Sequence, residues 1–369
     1  MTIEEYTILL IRSYVRNEKS FFQDLDSSVS DVYLFSKKQK LENICLSALK
    51  YYAIPIDSTI LKKWEDSCDE NFASLMMQES EKPRLTEILN NEKIKFLPLK
   101  GWQLRSMYPK QEFRFMSDLD ILIEKSDRKR ISKVLKDNGY TGGIGDYGSD
   151  DGYYYDPCIH LEVHIDMVSV EHDNWYKYYQ NIWDKAILVA GYEYKLNWND
   201  YFIYMMINFL KDYTLNGTGI RPILDFYIFL SKHRDNLDFV YINNEFKTLG
   251  VLDLANQALS LVDKWFGDEP TIFGDKMGDK LIGSEVYGTS EELVKNRYDR
   301  LSENVTGKRK KKFIFLLKRA FPEMKIMKYK YPILNKVPIL LPVCWCIRLV
   351  HYSDRARLEI NTIKSIDDV

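Results

Sequence analysis

In IHLEVHIDM, residues 159–167, apolar and polar side chains alternate without a break. Leu161, Val163, Ile165 and Met167 share one face, and His160, Glu162, His164 and Asp166 share the other. A period of two sorts side chains this way only on an extended strand; a helix would scatter them around its axis. The chain is thereby committed to a sheet with one polar face, which either meets solvent or lines a site. A second segment has the same character. In EFRFMSDLDILIEKS, residues 112–126, a strand over Ser117–Ile123 turns Asp118 and Asp120 to one side and Leu119 and Ile121 to the other. Carboxylates this close repel unless a cation stands between them.

Around these strands the period changes. Residues 1–92 read as a helical region. Apolar positions recur every three or four residues over Ile3–Val15, Val32–Tyr52 and Ile60–Asn90, with no glycine between them. Asp57 and Ser58 supply an N-cap for the third helix. Residues 93–195 read as an α/β core. A short strand over Lys93–Leu99 turns at Lys100-Gly101 into a short helix ending at Met107. After the acid-headed strand comes a helix over Ser126–Asn138, capped by Ser126 and stopped by Gly139. Thr141–Gly152 is a loop by composition, its glycines following no phosphate-loop spacing. Tyr153–Tyr155 and Ile159–Met167 then form an antiparallel pair.

Residues 196–369 return to helix over Tyr201–Tyr213, Ile220–His233 and Phe239–Phe266. A weakly periodic, mobile excursion is expected over 267–307. The basic run Lys308–Lys312 reads as a solvated helix start, with an interaction patch as the alternative. Short helices bounded by Pro322, Pro332, Pro338 and Pro342 pack back on the body. The expected fold class is α+β: a mixed sheet with helices on one face, flanked by helical regions at both ends. No internal repeat is visible.

Bulk properties exclude several classes. Lys and Arg number 52 against 54 Asp and Glu, so the net charge of −2 makes no global case for nucleic acid. Cys45, Cys68, Cys158, Cys344 and Cys346 are odd in number and complete no zinc spacing, as expected of reduced thiols. The early acids and short apolar run of MTIEEYTILLIRSYVRNE do not make a signal peptide. No apolar stretch has the length of a membrane span; PILLPVCWCIRLV is interrupted by Pro342 and Arg348. The expected compartment is the cytoplasm. The 26 tyrosines point to cores built from aromatic rings, with Tyr153–Tyr155 and Tyr176–Tyr179 as alternative base-stacking surfaces.

Asp118 and Asp120 with Glu162 on the second strand suggest a shared carboxylate cluster. Carboxylates plus substrate phosphates are the usual ligands of Mg²⁺, and a pair of such ions activates an attacking oxygen while stabilising the leaving one. A cation on these acids would relieve their repulsion. Asp166, on the same face, is the alternative third acid. The Lys100-Gly101 turn places backbone N–H groups at a helix start, where phosphate is favoured. Lys100 or Arg114 would add charge where leaving phosphates build it up. His164 is either a wall of the site or a buried histidine bonded to backbone. Arg114 could instead bridge Asp118, and Arg221 with Asp225 could be a plain surface pair four residues apart.

LPLKGWQLRSMYPKQEFRFMSDLDILI, residues 97–123, resembles the signature of the uncharacterised bacterial nucleotidyltransferase family of the DNA polymerase β-like superfamily. The matching residues are Leu99-Lys100-Gly101, Leu104, Tyr108-Pro109, Arg114 and Asp118-Leu119-Asp120-Ile121-Leu122. Glu162 with His164, then Lys211, Arg221 and Asp225, and a proline-rich stretch with a late Arg348 follow the same pattern. The likeness extends over most of residues 30–360 and thins after 235. It implies a minimal nucleotidyltransferase core, with Asp118 and Asp120 as metal ligands and Glu162 as third carboxylate and base. Lys100, Gly101, Arg114, Lys211 and Asp225 would bind the nucleotide, with His164 and Arg221 as further candidates. Mg²⁺ or Mn²⁺ would be the cofactor and an NTP such as ATP the substrate. The resemblance leaves the acceptor open, a metabolite of surface-polysaccharide assembly being one class. Lys100-Gly101 departs from the Gly-Ser of better-known superfamily members. That departure keeps in play a catalytically silent nucleotide-binding or regulatory module; a second alternative is a toxin-type or resistance-type transferase acting on tRNA, protein or a small molecule.

Overall fold

A computed structural model describes the chain except residues 22–27, 145–149, 216, 287, 289–297, 299–307 and 352–369. The later part of the excursion expected over 267–307 and the middle of the expected Thr141–Gly152 loop lie outside the described residues.

The amino-terminal helices are α1 (Ile3–Val15), α2 (Val29–Gln39), α3 (Glu42–Tyr51) and α4 (Ser58–Asn91). The Thr2 and Asp57 side chains accept backbone N–H groups that the first turns of α1 and α4 would leave orphaned. The single helix expected over Val32–Tyr52 is two, because Lys40 takes a left-handed conformation (φ 54°) and ends α2. α4 runs through Pro83 without stopping.

Next come β1 (Phe96–Pro98), α5 (Gly101–Leu104), β2 (Leu119–Ile123), α6 (Arg128–Asp137), β3 (Thr141–Gly143), β4 (Asp150–Tyr155) and β5 (Ile159–His164). α7 (Asp173–Tyr178), α8 (Ile182–Lys185) and the hairpin β6 (Ala186–Ala190) and β7 (Glu193–Leu196) follow. Ser126 lies in a 3₁₀ turn ahead of α6 and does not cap it. Both ends of the glycine-rich segment 141–152 are strand, pairing as β3 and β4. The β6–β7 hairpin gives no periodic signal, since β6 reads Ala-Ile-Leu-Val-Ala and lies largely exposed at the sheet edge.

The sheet is mixed and seven-stranded in the order β3-β4-β5-β2-β1-β7-β6. β4 and β5 pair antiparallel, as expected, while β2 pairs parallel with β5 and antiparallel with β1. Alternation along the central strands feeds two cores. Phe96, Leu119, Ile121 and Ile123 pack with Leu85 and Leu89 of α4 and Ile131 and Leu135 of α6. Leu97, Leu99 and Leu122 join a larger cluster with the amino-terminal helices and the carboxy-terminal ones.

Those carboxy-terminal helices are α9 (Trp198–Leu215), α10 (Arg221–His233), α11 (Phe239–Leu249), α12 (Leu252–Phe266) and α13 (Lys276–Gly283). The helix expected over Phe239–Phe266 is broken at Gly250, whose φ of 71° is the left-handed cap glycine adopts without steric cost. Further on are the helices Lys308–Ala320, Met324–Lys330 and Leu341–His351, with 3₁₀ turns starting at Pro332 and Pro338.

Candidate active site

The parallel pairing of β2 with β5 sets Asp120 directly opposite Glu162, and Leu122 opposite His164. Residues paired across neighbouring strands share a face, so the two acids stand side by side. Asp118 sits one residue before β2 begins, at the mouth of the same face. His164 Nε2 is 2.7 Å from Asp120 Oδ1 and 3.6 Å from Glu162 Oε2. Lys100 Nζ approaches the same two carboxylates, at 2.5 Å and 3.7 Å. Asp120 is 2% exposed, so these partners replace the water it has lost.

Burial by itself raises a carboxyl pKa. Asp118 follows that rule: desolvation first, then the charge of Asp120, hold it above its ordinary value. Asp120 moves the other way, because desolvation is outweighed by the Lys100 ammonium and the His164 hydrogen bond. Glu162 is lowered, chiefly by the nearby His164 imidazole and against its own desolvation. His164 is raised, since desolvation that would discharge it is outweighed by its hydrogen bond to Asp120 and the nearby Glu162 carboxylate. Lys100 is held well above its ordinary value, burial being outweighed first by Asp120.

Among the described residues two overlapping donor sets could hold a cation, each with one ligand atom per residue and all atoms within 4.8 Å of one another. One is Asp118, His160 and Glu162; the other is Asp120, Glu162 and His164. Carboxylate oxygens suit a hard divalent ion of the Mg²⁺ or Mn²⁺ kind, and the imidazoles widen the choice towards transition metals. The donors present fit a divalent cation.

The turn below the acids is shaped for this place. Lys100 has φ 45° and ψ −121°, which side chains avoid, and the Tyr201 hydroxyl of α9 donates to its carbonyl at 2.7 Å. A Cβ on Gly101 would lie 2.5 Å from Arg114 Nη1 and 2.7 Å from Met116 Sδ, so only glycine lets Arg114 come this near. Arg114 donates from Nε and Nη2 to the two oxygens of Asp225, at 3.0 and 3.1 Å, and the Tyr108 hydroxyl donates to Asp225 at 2.6 Å. Arg221 Nη1 donates to the Phe115 carbonyl at 3.3 Å, and Lys211 Nζ lies 3.1 Å from Asn208 Oδ1.

One cavity of about 370 Å³ gathers these groups. Asp118, Asp120 and Glu162 line it together with Lys100, Gly101, Arg114, Lys211, Arg221 and Asp225. Of the residues singled out in the sequence, His164 stands behind Asp120 rather than on the lining. Arg114 pairs with Asp225 and not with Asp118, and Asp225 is a buried partner of Arg114 rather than half of a surface pair with Arg221. Asp166 is elsewhere: β5 ends at His164, and Asp166 pairs with Lys125 at 2.7 Å.

Tyr153 and Tyr179 are buried, while exposed Tyr154 stacks on His160 with ring centres 4.7 Å apart. His160 is a ligand candidate not singled out in the sequence, although its place on the Glu162 face was visible there. Tyr201, Tyr204, Asn208 and Asp212 also line the cavity, one or two per turn of α9. That spacing is legible, but not which strand the stripe faces.

Comparison with known proteins adds one match. A family model described as an uncharacterised nucleotidyltransferase matches residues 27–267. No curated protein and no solved structure matches the chain.

Proposed function

The chain belongs to the uncharacterised nucleotidyltransferase family, and on that premise we propose that it moves a nucleoside monophosphate from an NTP to a hydroxyl or amine acceptor. The observation that supports this most directly is the cavity itself, with Asp118, Asp120 and Glu162 on one side and Lys100, Arg114, Lys211 and Arg221 around the rest. Such a division of charge suits a polyphosphate, since the acids would hold a divalent cation and Lys100, Arg114, Lys211 and Arg221 would meet phosphate oxygens.

Asp118, Asp120 and Glu162 would hold Mg²⁺ or Mn²⁺, with His160 and His164 within ligand reach. Bound there, a divalent ion supplies Lewis-acid stabilisation of charge on phosphate oxygens. Glu162 is held below the ordinary carboxylate range, so it is ionised at neutral pH and accepts the acceptor's proton. The acceptor oxygen or nitrogen then bonds to the α-phosphorus as the bond to pyrophosphate breaks. Lys100 and Arg114 meet the charge that leaves, and Asp225 with Tyr108 keeps Arg114 aimed at it.

One observation favours a second reading, a nucleotide-binding module without turnover. Lys100 already neutralises Asp120 at 2.5 Å, the work a metal would do.

The test is calorimetric titration of Mn²⁺, with and without each NTP, into wild type and the Asp118→Asn/Asp120→Asn variant. Tenfold or greater loss of affinity in the variant is expected. Equal binding by both proteins, or binding by neither, overturns the site. Release of pyrophosphate when labelled NTP meets cell extract separates transfer from the silent module, which binds and releases none.

A further inference from the structure

Charge and exposed apolar surface are both concentrated in one part of the chain. Residues 308–351 hold twelve Lys and Arg against a single acid, Glu323, although the whole chain carries 52 against 54. The same residues contain nine of the twenty large hydrophobic side chains that are exposed among the described residues. These fall at helical spacing. Phe313, Leu317 and Phe321 follow one another every fourth residue along the helix Lys308–Ala320 and just past its end. Ile339, Val343 and Ile347 do the same along the turn and helix at 338–351, with Ile339 as much as 84% exposed. The two stripes belong to one packed unit. Phe321 meets the Trp345 ring edge-on at 5.3 Å, Trp345 Nε1 donates to the Pro322 carbonyl at 3.0 Å, and Met327, Leu334 and Cys344 form a small core of their own.

A soluble surface places isolated apolar residues among charges of both signs, and stripes of this length mark an interaction site. We infer that residues 308–351 dock on an anionic lipid bilayer. Lysines meet the headgroups and the two stripes enter the acyl boundary, as interfacial amphipathic helices do. Charge complementarity selects this occupant: a second copy of the same unit would bring eleven excess positive charges against eleven. Nucleic acid would satisfy the lysines but not Ile339, Val343, Ile347 and Leu317, which have no ring to stack on a base. The contact is peripheral, since no helix among the described residues is long and apolar enough to cross a membrane. It is independent of the cavity and of nucleotidyl transfer.

The full-length protein should co-float with vesicles of phosphatidylcholine and phosphatidylglycerol, and at least tenfold less with phosphatidylcholine alone. Raising the salt should weaken the binding. Val343→Asp/Ile347→Asp should abolish it. Lys310→Glu/Lys336→Glu changes exposed side chains only, leaves the fold unaltered and should reduce binding tenfold or more. The inference is overturned if neither vesicle binds or if the charge-reversed variant binds as well as wild type. It is also overturned if sedimentation shows a dimer dispersed by Val343→Asp/Ile347→Asp while vesicles are ignored, or if an RNA duplex binds and vesicles do not.

Discussion

His164 and Asp120 are a buried pair whose worth depends on pH in a calculable direction. His164 is raised by its carboxylate partners, so its stabilisation is complete below the unfolded value of about 6.5 and is lost as pH rises through the folded value. Asp120 is depressed, so its share is complete above about pH 4 and is lost as pH falls through its folded value. The stability difference between wild type and His164→Gln, followed by urea denaturation, should therefore be greatest from about pH 4 to 6.5 and shrink above that. A difference that grows with alkalinity would show that the pair does not stabilise the fold. Lys100 offers a second test, because its strained backbone and its ammonium are separable. Lys100→Gly and Lys100→Ala both lose the charge, but only glycine accepts φ 45° at no cost. The glycine variant should be the more stable by about 1 kcal/mol in thermal denaturation, the reverse of the usual order of the two residues.

Between elements, the decisive contact is the one α10 makes with the segment before β2. Asp225 comes from α10, while Arg114 and Tyr108 come from the turns after α5, and the three bury one another. Desolvation would discharge Arg114, but Asp225 outweighs it and fixes the charge. Asp225→Ala leaves a guanidinium buried without a counter-ion and should cost about 3–5 kcal/mol in urea denaturation. Asp225→Asn keeps one acceptor and should cost less. Under conditions where both variants stay folded, nucleotide affinity should fall with them, because Arg114 is no longer aimed at the cavity. The turn also explains its own sequence. Gly101 admits Arg114, and the Lys100 carbonyl is held by Tyr201, so the Lys-Gly dipeptide ties β1, α9 and the Arg114 segment together.

At the scale of the molecule, the cavity is walled by strands on one side and by α9 and α10 on the other, so a bound nucleotide would link regions more than a hundred residues apart. A ligand that binds only the folded state at a hundred times its Kd stabilises by about 2.7 kcal/mol. Mn²⁺ with the preferred NTP should raise the melting temperature of wild type and leave Asp118→Asn/Asp120→Asn unmoved. Much of this arrangement was legible in advance. Alternation over 159–167 required a strand, the Asp-Leu-Asp segment required another with its acids on one face, and the signature at 97–123 carried the family. These are local properties, set by the period of the backbone and by residue type. Register was not local: that Asp120 stands opposite Glu162 follows from β2 and β5 being parallel neighbours, which no segment encodes alone. Helix breaks are silent in the sequence where a single residue turns left-handed, at Lys40 and Gly250, inside a hydrophobic period that continues across them. The partners of His164, Arg114 and Asp225 were likewise out of sight, because a buried charge takes whichever counter-charge the packing brings within 3 Å. The sequence by itself determined which chemical groups the protein owns and on which face of each element they lie. Tertiary structure alone decided which of them meet, since burial and pairing depend on distances that only the assembled sheet and helices create.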